Sequence, residues 1–228
     1  AVGDLNEQLV LAKAGVLASP EARQAFAACI DIAAVAEESA RASGVDVKPM
    51  GTRLTTADDP INQQTEHIGA AHLGVDIPRA EMLRGQTIRV GYIAPNSRKA
   101  AMVEKMRASC QPAGVNVVDA SGDAGTIQDL AVDRKQDNGT TQFDPQKLDA
   151  VLVAMDPNSQ FGDVNATSGD VEALRQAEER LWVDVPTIPL AAQPHTFVVD
   201  RTITNVVVNT SLSGIGWNMD RWQESRKK

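Results

Sequence analysis

Ser19-Pro20-Glu21-Ala22-Arg23-Gln24-Ala25-Phe26-Ala27-Ala28-Cys29-Ile30-Asp31 reads as a helix with a well-marked start. Ser19 suits the cap, Pro20 the first helical position, and Glu21 complements the positive helix end. Ala22, Ala25, Phe26, Cys29 and Ile30 recur at spacings of three and four, which makes one apolar face. Asp31 closes that pattern, and a second apolar stretch, Ile32-Ala33-Ala34-Val35, follows. The spacing predicts a helix running to about Ala42 and stopped by Gly44. Upstream, Leu5 to Leu17 is mixed and apolar, a strand leading into the helix.

Working downstream, residues 45–80 read as irregular, punctuated by Pro49, Gly51, Pro60, Gly69, Gly74 and Pro78. His67 and His72 lie five apart, whereas a metal-binding pair on a helix uses four, so they read as surface or ligand-facing polar residues. Thr87 to Ile93 alternates as a strand, a helix capped by Asn96 or Ser97 spans about Arg98 to Gln111, and Val115 to Val118 is a second strand. Together these form a β-α-β unit. A short helix is expected near Ile127–Val132, and the apolar run Leu148–Met155 is a central strand. A helix follows at about Ser168–Val183, with the face Val171, Leu174, Ala177 and Leu181, and then short strands at Thr187–Leu190 and Thr196–Val199. This order predicts an α/β lobe with a mixed sheet flanked by helices.

Composition narrows function. The chain has 228 residues, 43% hydrophobic and only 4% aromatic, so small and β-branched side chains must build its core. A net charge of −8, with Arg226-Lys227-Lys228 as the one basic cluster, argues against a nucleic-acid partner. No apolar run reaches the ~18–20 residues that span a bilayer. The opening Ala1-Val2-Gly3-Asp4 lacks the basic start and apolar stretch of a signal peptide. Cys29 and Cys110 have no metal-ligand spacing; they read either as two buried thiols or as a disulfide between two helices. Gly-x-Ser-x-Gly, a P-loop and His-Glu-x-x-His are all missing, so no catalytic group, cofactor or metal site can be named. Asp119, Asp123, Asp129 and Asp133 read as a solvated face, and the sequons at Asn138, Asn165 and Asn209 carry little weight. Asn96-Ser97-Arg98-Lys99 could receive an anion at a helix start, although capping with solvated basic residues is the plainer reading.

Six segments resemble, in order, the C-terminal lobe of extracytoplasmic solute-binding protein family 5, the dipeptide and oligopeptide receptors of ABC importers. They are Ala22–Asp31, the proline- and asparagine-bearing stretch after it, Ile88-Arg89-Val90-Gly91-Tyr92 with Ala113-Gly114-Val115-Asn116-Val117, Leu148–Asn158, Gln176–Leu190 and Gly216–Trp222. The resemblance covers about residues 9–222.

It implies a type II periplasmic-binding-protein-like fold, divided as a lead-in at 1–18, the second lobe at 19–185 and a return segment at 186–228. It implies a missing first lobe, a lipid-anchored location outside the cytoplasm, no enzymatic activity, and a solute or peptide held in an inter-lobe cleft beside an ABC permease. Tyr92, Asn96, Met155, Asp156, Asn158 and Phe161 are the candidate ligand-binding residues because they sit at the ends of sheet strands, with core packing as the other reading of Tyr92 and Phe161; a Cys29–Cys110 disulfide would agree with the location outside the cytoplasm. Met155 stands where peptide receptors carry a tryptophan, and Asn158 lies nearest the place of their acidic partner for a ligand ammonium. Trp182 and Trp217 read as structural. The wording is most similar to actinobacterial lipoproteins, which implies an alternative. That alternative is a non-transport regulator of phosphatidylinositol mannoside and lipoarabinomannan synthesis, with a glycolipid ligand and a membrane biosynthetic protein as partner.

Overall fold

The computed structural model describes residues 2–125, 130–131, 134–135, 141–142, 147–157, 171–195, 199–207 and 214–224. Its centre is a five-stranded sheet in the order β3-β2-β6-β1-β7. These strands are β1 (Val2–Leu11), β2 (Thr87–Gly91), β3 (Asn116–Asp119), β6 (Ala150–Met155) and β7 (Thr187–Pro194). β2 runs parallel to β3 and to β6, while β1 lies antiparallel between β6 and β7. The expected mixed α/β sheet with flanking helices is therefore the observed fold. Two small antiparallel pairs complete the strands: β4 (Arg134–Lys135) with β5 (Thr141–Gln142), and β8 (Ile203–Thr204) with β9 (Gln223–Glu224).

β1 and β7 fall in the segments expected to lead into and out of the lobe, yet they are interior and edge strands of its sheet. The reason is burial: Leu9, Leu11, Ile188, Leu190 and Ala191 all sit in the main core.

The opening helix starts as its sequence dictates. Ser19 Oγ accepts from Ala22 N at 3.1 Å, and α1 spans Pro20–Cys29. It does not continue to Ala42. Ile30 is extended (φ −88°, ψ 119°), and Asp31 Oδ1 accepts from Ala34 N at 2.9 Å, which begins α2 (Ile32–Ser43). A carboxylate that can cap a new helix competes with continuing the old one. Gly44 ends α2 in the left-handed region, φ 68°.

The stretch 45–80 is more ordered than expected, with α3 (Asn62–Ala70) and α4 (Ile77–Ala80). α3 packs where a Cβ on Gly51 would lie 2.4 Å from Gly69 Cα. That backbone contact needs glycine on both sides, and the sequence shows only the two glycines.

α5 (Ser97–Cys110) connects β2 to β3, and Asn96 caps it by accepting from Lys99 N at 3.0 Å. Cys110 ends α5 and Cys29 ends α1; the two are disulfide-bonded, with Cα atoms 4.6 Å apart, so they are not free thiols. α6 (Val171–Asp184) buries Leu174, Glu178 and Trp182, with Val171, Ala177 and Leu181 half-buried beside them. Most of the short helix expected at Ile127–Val132 lies outside the described residues. Leu130 within it forms a parallel bridge to Leu148. Of the Thr196–Val199 strand only Val199 lies within the described residues.

Candidate functional site

In an open α/β sheet, ligands bind beyond the carboxyl ends of the parallel strands, where the connections diverge. Here the chain leaves β2 for β3 on one side, and β6 lies on the other. The divergence falls between β2 and β6. Their last paired residues are Gly91 and Val151. Tyr92 to Asn96 leave the end of β2, while Met155 closes β6 and Asp156 follows it. Because β1 is antiparallel, Asn6 comes to the same edge, opposite Met155.

Four of the six residues expected to bind ligand lie at or just after the ends of β2 and β6; Asn158 and Phe161 lie outside the described residues. They do not act alike. Tyr92 is 3% exposed and part of the core, and its hydroxyl donates to Asp119 Oδ2 at 2.8 Å. Burial raises its phenol above the ordinary value. Asp119 is therefore a partner of Tyr92 and not merely part of a solvated face. Asn96 spends its side-chain oxygen on the helix cap. Met155 and Asp156 are half-buried at the strand end.

Three further residues meet near this edge: Glu7, which the sequence did not single out, and Arg98 and Lys99, which it read as a capped helix start with solvated basic residues. Glu7, fully buried on β1, is held by both terminal nitrogens of Arg98, which also donates to Ser39 Oγ at 2.9 Å. Lys99 Nζ donates to the Leu152 carbonyl at 3.1 Å. Leu152 is the next residue of β6 beyond its last pairing with β2. Burial lowers the Lys99 pKa, as does the neighbouring Arg98, while Glu7 opposes that shift. Arg98 and Lys99 are accordingly not the solvated basic residues that their place in a helix start suggests. The signal available was Asn6-Glu7-Gln8, three consecutive polar residues inside an apolar strand. All three are fully buried, and Asn6 Oδ1 and Gln8 Nε2 have no hydrogen-bond partner.

Hollows among the described residues lie away from the divergence point. One, about 130 Å³, is lined by Gln24, His72, Asp76, Arg79 and Trp182 among others. His72 stacks on Trp182 with ring centroids 3.8 Å apart, and the Trp182 indole donates to Gly51 O at 3.0 Å, a structural role. The second, about 580 Å³, runs between Lys48–Thr52 and α3, with exposed His67 on its wall. Among the described residues no group of three or more His, Cys, Asp or Glu could hold a metal ion, and no helix is long and apolar enough to cross a membrane.

This architecture is that of periplasmic-binding-protein-like lobes. It is similar to a periplasmic EDTA-binding protein (TM-score 0.71, 14% identity, 100% of this chain and 49% of that one). It is also similar to the oligopeptide-binding protein AppA of Bacillus subtilis, solved with a nonapeptide (0.66, 9%, 99% and 52%). A third is the mannohexaose-bound oligopeptide-binding protein of Thermotoga maritima (0.68, 13%, 96% and 50%).

In sequence, the chain is 31% identical to an uncharacterized lipoprotein of Mycobacterium tuberculosis, over 96% of this chain and 43% of that protein. An uncharacterized lipoprotein of Mycobacterium leprae is likewise 31% identical, over 95% and 44%. The chain spans less than half the length of these relatives. No protein-family model matches it.

Proposed function

We propose that this chain is the second lobe of an extracytoplasmic solute-binding protein of the peptide-receptor type, and that solute lies against the crevice between β2 and β6. The observation that carries the reading is the divergence of β2 and β6, with Asn96, Met155, Asp156 and Lys99 around it. The reading is supported by solved structures that hold a peptide and an oligosaccharide, each about twice as long as the part they share with this chain. A first lobe would supply the opposite wall of the cleft, since ligand sites favour clefts between domains. Closure of the two lobes by a hinge would bury the solute and present a new surface to an ABC permease. The lipoprotein relatives support a lipid-anchored location outside the cytoplasm. The lobe's role here is binding and not catalysis.

The test is calorimetry and thermal shift on the two-lobed protein with oligopeptides, mannooligosaccharides and anionic glycolipids. Saturable binding of a peptide or oligosaccharide is the expected result. Binding of none of these, alongside stable association with a membrane biosynthetic enzyme, would overturn the receptor reading in favour of a regulator.

A further inference from the structure

The hollow of about 580 Å³ between Lys48–Thr52 and α3 has the size of a small-molecule site, and its walls are fixed. Pro49 pairs with Ala191 of β7. Met50 N donates to the Leu190 carbonyl and Ala192 N to the Lys48 carbonyl, both at 3.1 Å, so one wall is a further strand on the sheet edge. The other wall, α3, is pressed onto this strand where Gly69 meets Gly51. Thr52 Oγ1 and Thr55 Oγ1 both donate to Asn62 Oδ1, at 3.0 and 2.8 Å. With its oxygen held in this way, the Asn62 amide turns its nitrogen to the other side. That nitrogen meets no acceptor among the described residues.

The lining is amphipathic. Met50, 2% exposed, and half-buried Leu73 give it apolar surface. Its titratable groups are Lys48 on the strand side, and Glu66 and His67 on α3, all three exposed. Lys48 and Glu66 carry opposite charges on facing walls, yet they do not pair. Neither has another ion pair or a side-chain hydrogen bond among the described residues. Arg53, which follows Thr52, is paired with Glu178 and brings no net charge. Water solvates the two rim charges separately, whereas one dipolar molecule spanning the hollow meets both.

We propose that this hollow is a binding site, separate from the β2–β6 crevice, for a small zwitterion with an apolar body. Its ammonium would lie on Glu66, its carboxylate on Lys48, and its carbon chain against Met50 and Leu73, with the Asn62 amide as a further donor to a ligand oxygen. A singly charged analogue leaves one wall unmet and is disfavoured for that reason.

The experiment titrates four probes into the two-lobed protein by calorimetry: leucine, 6-aminohexanoate, and the singly charged leucinamide and hexanoate. Leucine holds its charges close together and 6-aminohexanoate holds them apart, so the two also measure the separation that the walls prefer. At least one zwitterion should bind saturably, about tenfold or more tighter than either singly charged probe, the scale of one charge-assisted hydrogen bond. Lys48→Met and Glu66→Gln, both at exposed positions, should each remove about that factor. Ala70→Trp, which fills the hollow from α3, should abolish binding. Thermal shift without ligand checks that all three variants fold. Binding of neither zwitterion, or equal affinity for the singly charged probes, overturns the proposal. So does zwitterion binding that survives in Ala70→Trp, which would put the molecule elsewhere on the protein. Light scattering follows the oligomeric state: a dimer of the parent protein that Ala70→Trp disrupts would overturn it in favour of a second copy as the occupant. The solute-binding reading is decided by the peptide and oligosaccharide titrations above, so either can fail while the other stands.

Discussion

Arg23 and Asp184, 161 residues apart in the chain, are locked together twice. Arg23 Nε donates to the Asp184 carbonyl at 2.8 Å, and Nη2 donates to its carboxylate at 2.7 Å. Nη1 completes the fork on the carbonyls of Leu17 and Ala18, at 3.0 and 2.9 Å. The guanidinium is 2% exposed and so joins three pieces: the entry to α1, its first turn, and the corner between α6 and β7. That corner is unusual, since Val185 sits at φ 45° and is fully buried. Replacing Arg23 with alanine should cost about 1–3 kcal/mol, because the carbonyls of Leu17, Ala18 and Asp184 lose a donor together while the partly exposed Asp184 carboxylate keeps Lys13. Lysine should recover only part of this, as one ammonium cannot reproduce a planar fork. Urea unfolding measures both; a loss below about 1 kcal/mol in the alanine variant would sink the account.

A second ion pair is deeper. Arg53 and Glu178 are 0% and 1% exposed and meet at 2.7 Å. Arg53 also donates to the Thr187 carbonyl, and its guanidinium lies 4.1 Å from the Trp182 ring centroid. Glu178→Ala alone should cost about 3–5 kcal/mol, since it strands a buried cation. Arg53→Met combined with Glu178→Met should cost clearly less than the sum of the two single changes. Additive losses in that cycle would mean the pair is not coupled.

How much of this was legible depends on the reach of each interaction. The helix starts were readable because a cap acts over three residues: Ser19 on Ala22, Asn96 on Lys99. The strands at Thr87 and Leu148 were readable from alternation and burial. The break at Ile30 was less so, because Asp31 can end one pattern or begin another. α3 was missed because its polar, glycine-bearing sequence is a weak helix former, and its place depends on contact with Gly51. At the site, the strand ends pointed to Tyr92, Asn96, Met155 and Asp156. They could not show that Tyr92 turns inward to Asp119, nor that Lys99 reaches a carbonyl 53 residues away. Pairing across a sheet decides those facts, and one strand's sequence does not contain it.

The Cys29–Cys110 bond closes a long loop, with a sequence separation of 81. It joins the ends of α1 and α5 and so ties the opening helix to the β-α-β unit. Cross-linking a loop of this length should stabilise the fold by about 4–5 kcal/mol through the unfolded chain. The Cys29→Ala, Cys110→Ala double variant should lose that amount in urea unfolding. A thiol assay on the denatured, non-reduced protein should find no free cysteine; two titrating thiols would contradict the bond.

His72 makes stability depend on pH. It stacks on Trp182 at an interplanar angle of 10°, with Asp76, Arg79 and Gln24 lining the same hollow. Burial holds its pKa below the usual 6.5, and the positive charges of Arg53 and Arg79 push the same way. The folded protein therefore keeps this ring neutral where the unfolded chain already takes up a proton. By linkage, His72 contributes no penalty above the unfolded pKa of about 6.5. Its penalty grows as pH falls below that value, and it levels off once pH passes below the folded pKa. His72→Phe keeps a ring on Trp182 and cannot titrate. Urea midpoints measured between about pH 7.5 and 5.5 should fall less steeply in that variant than in the parent. Parallel pH profiles would show that the ring's stacked, half-buried place does not govern its proton.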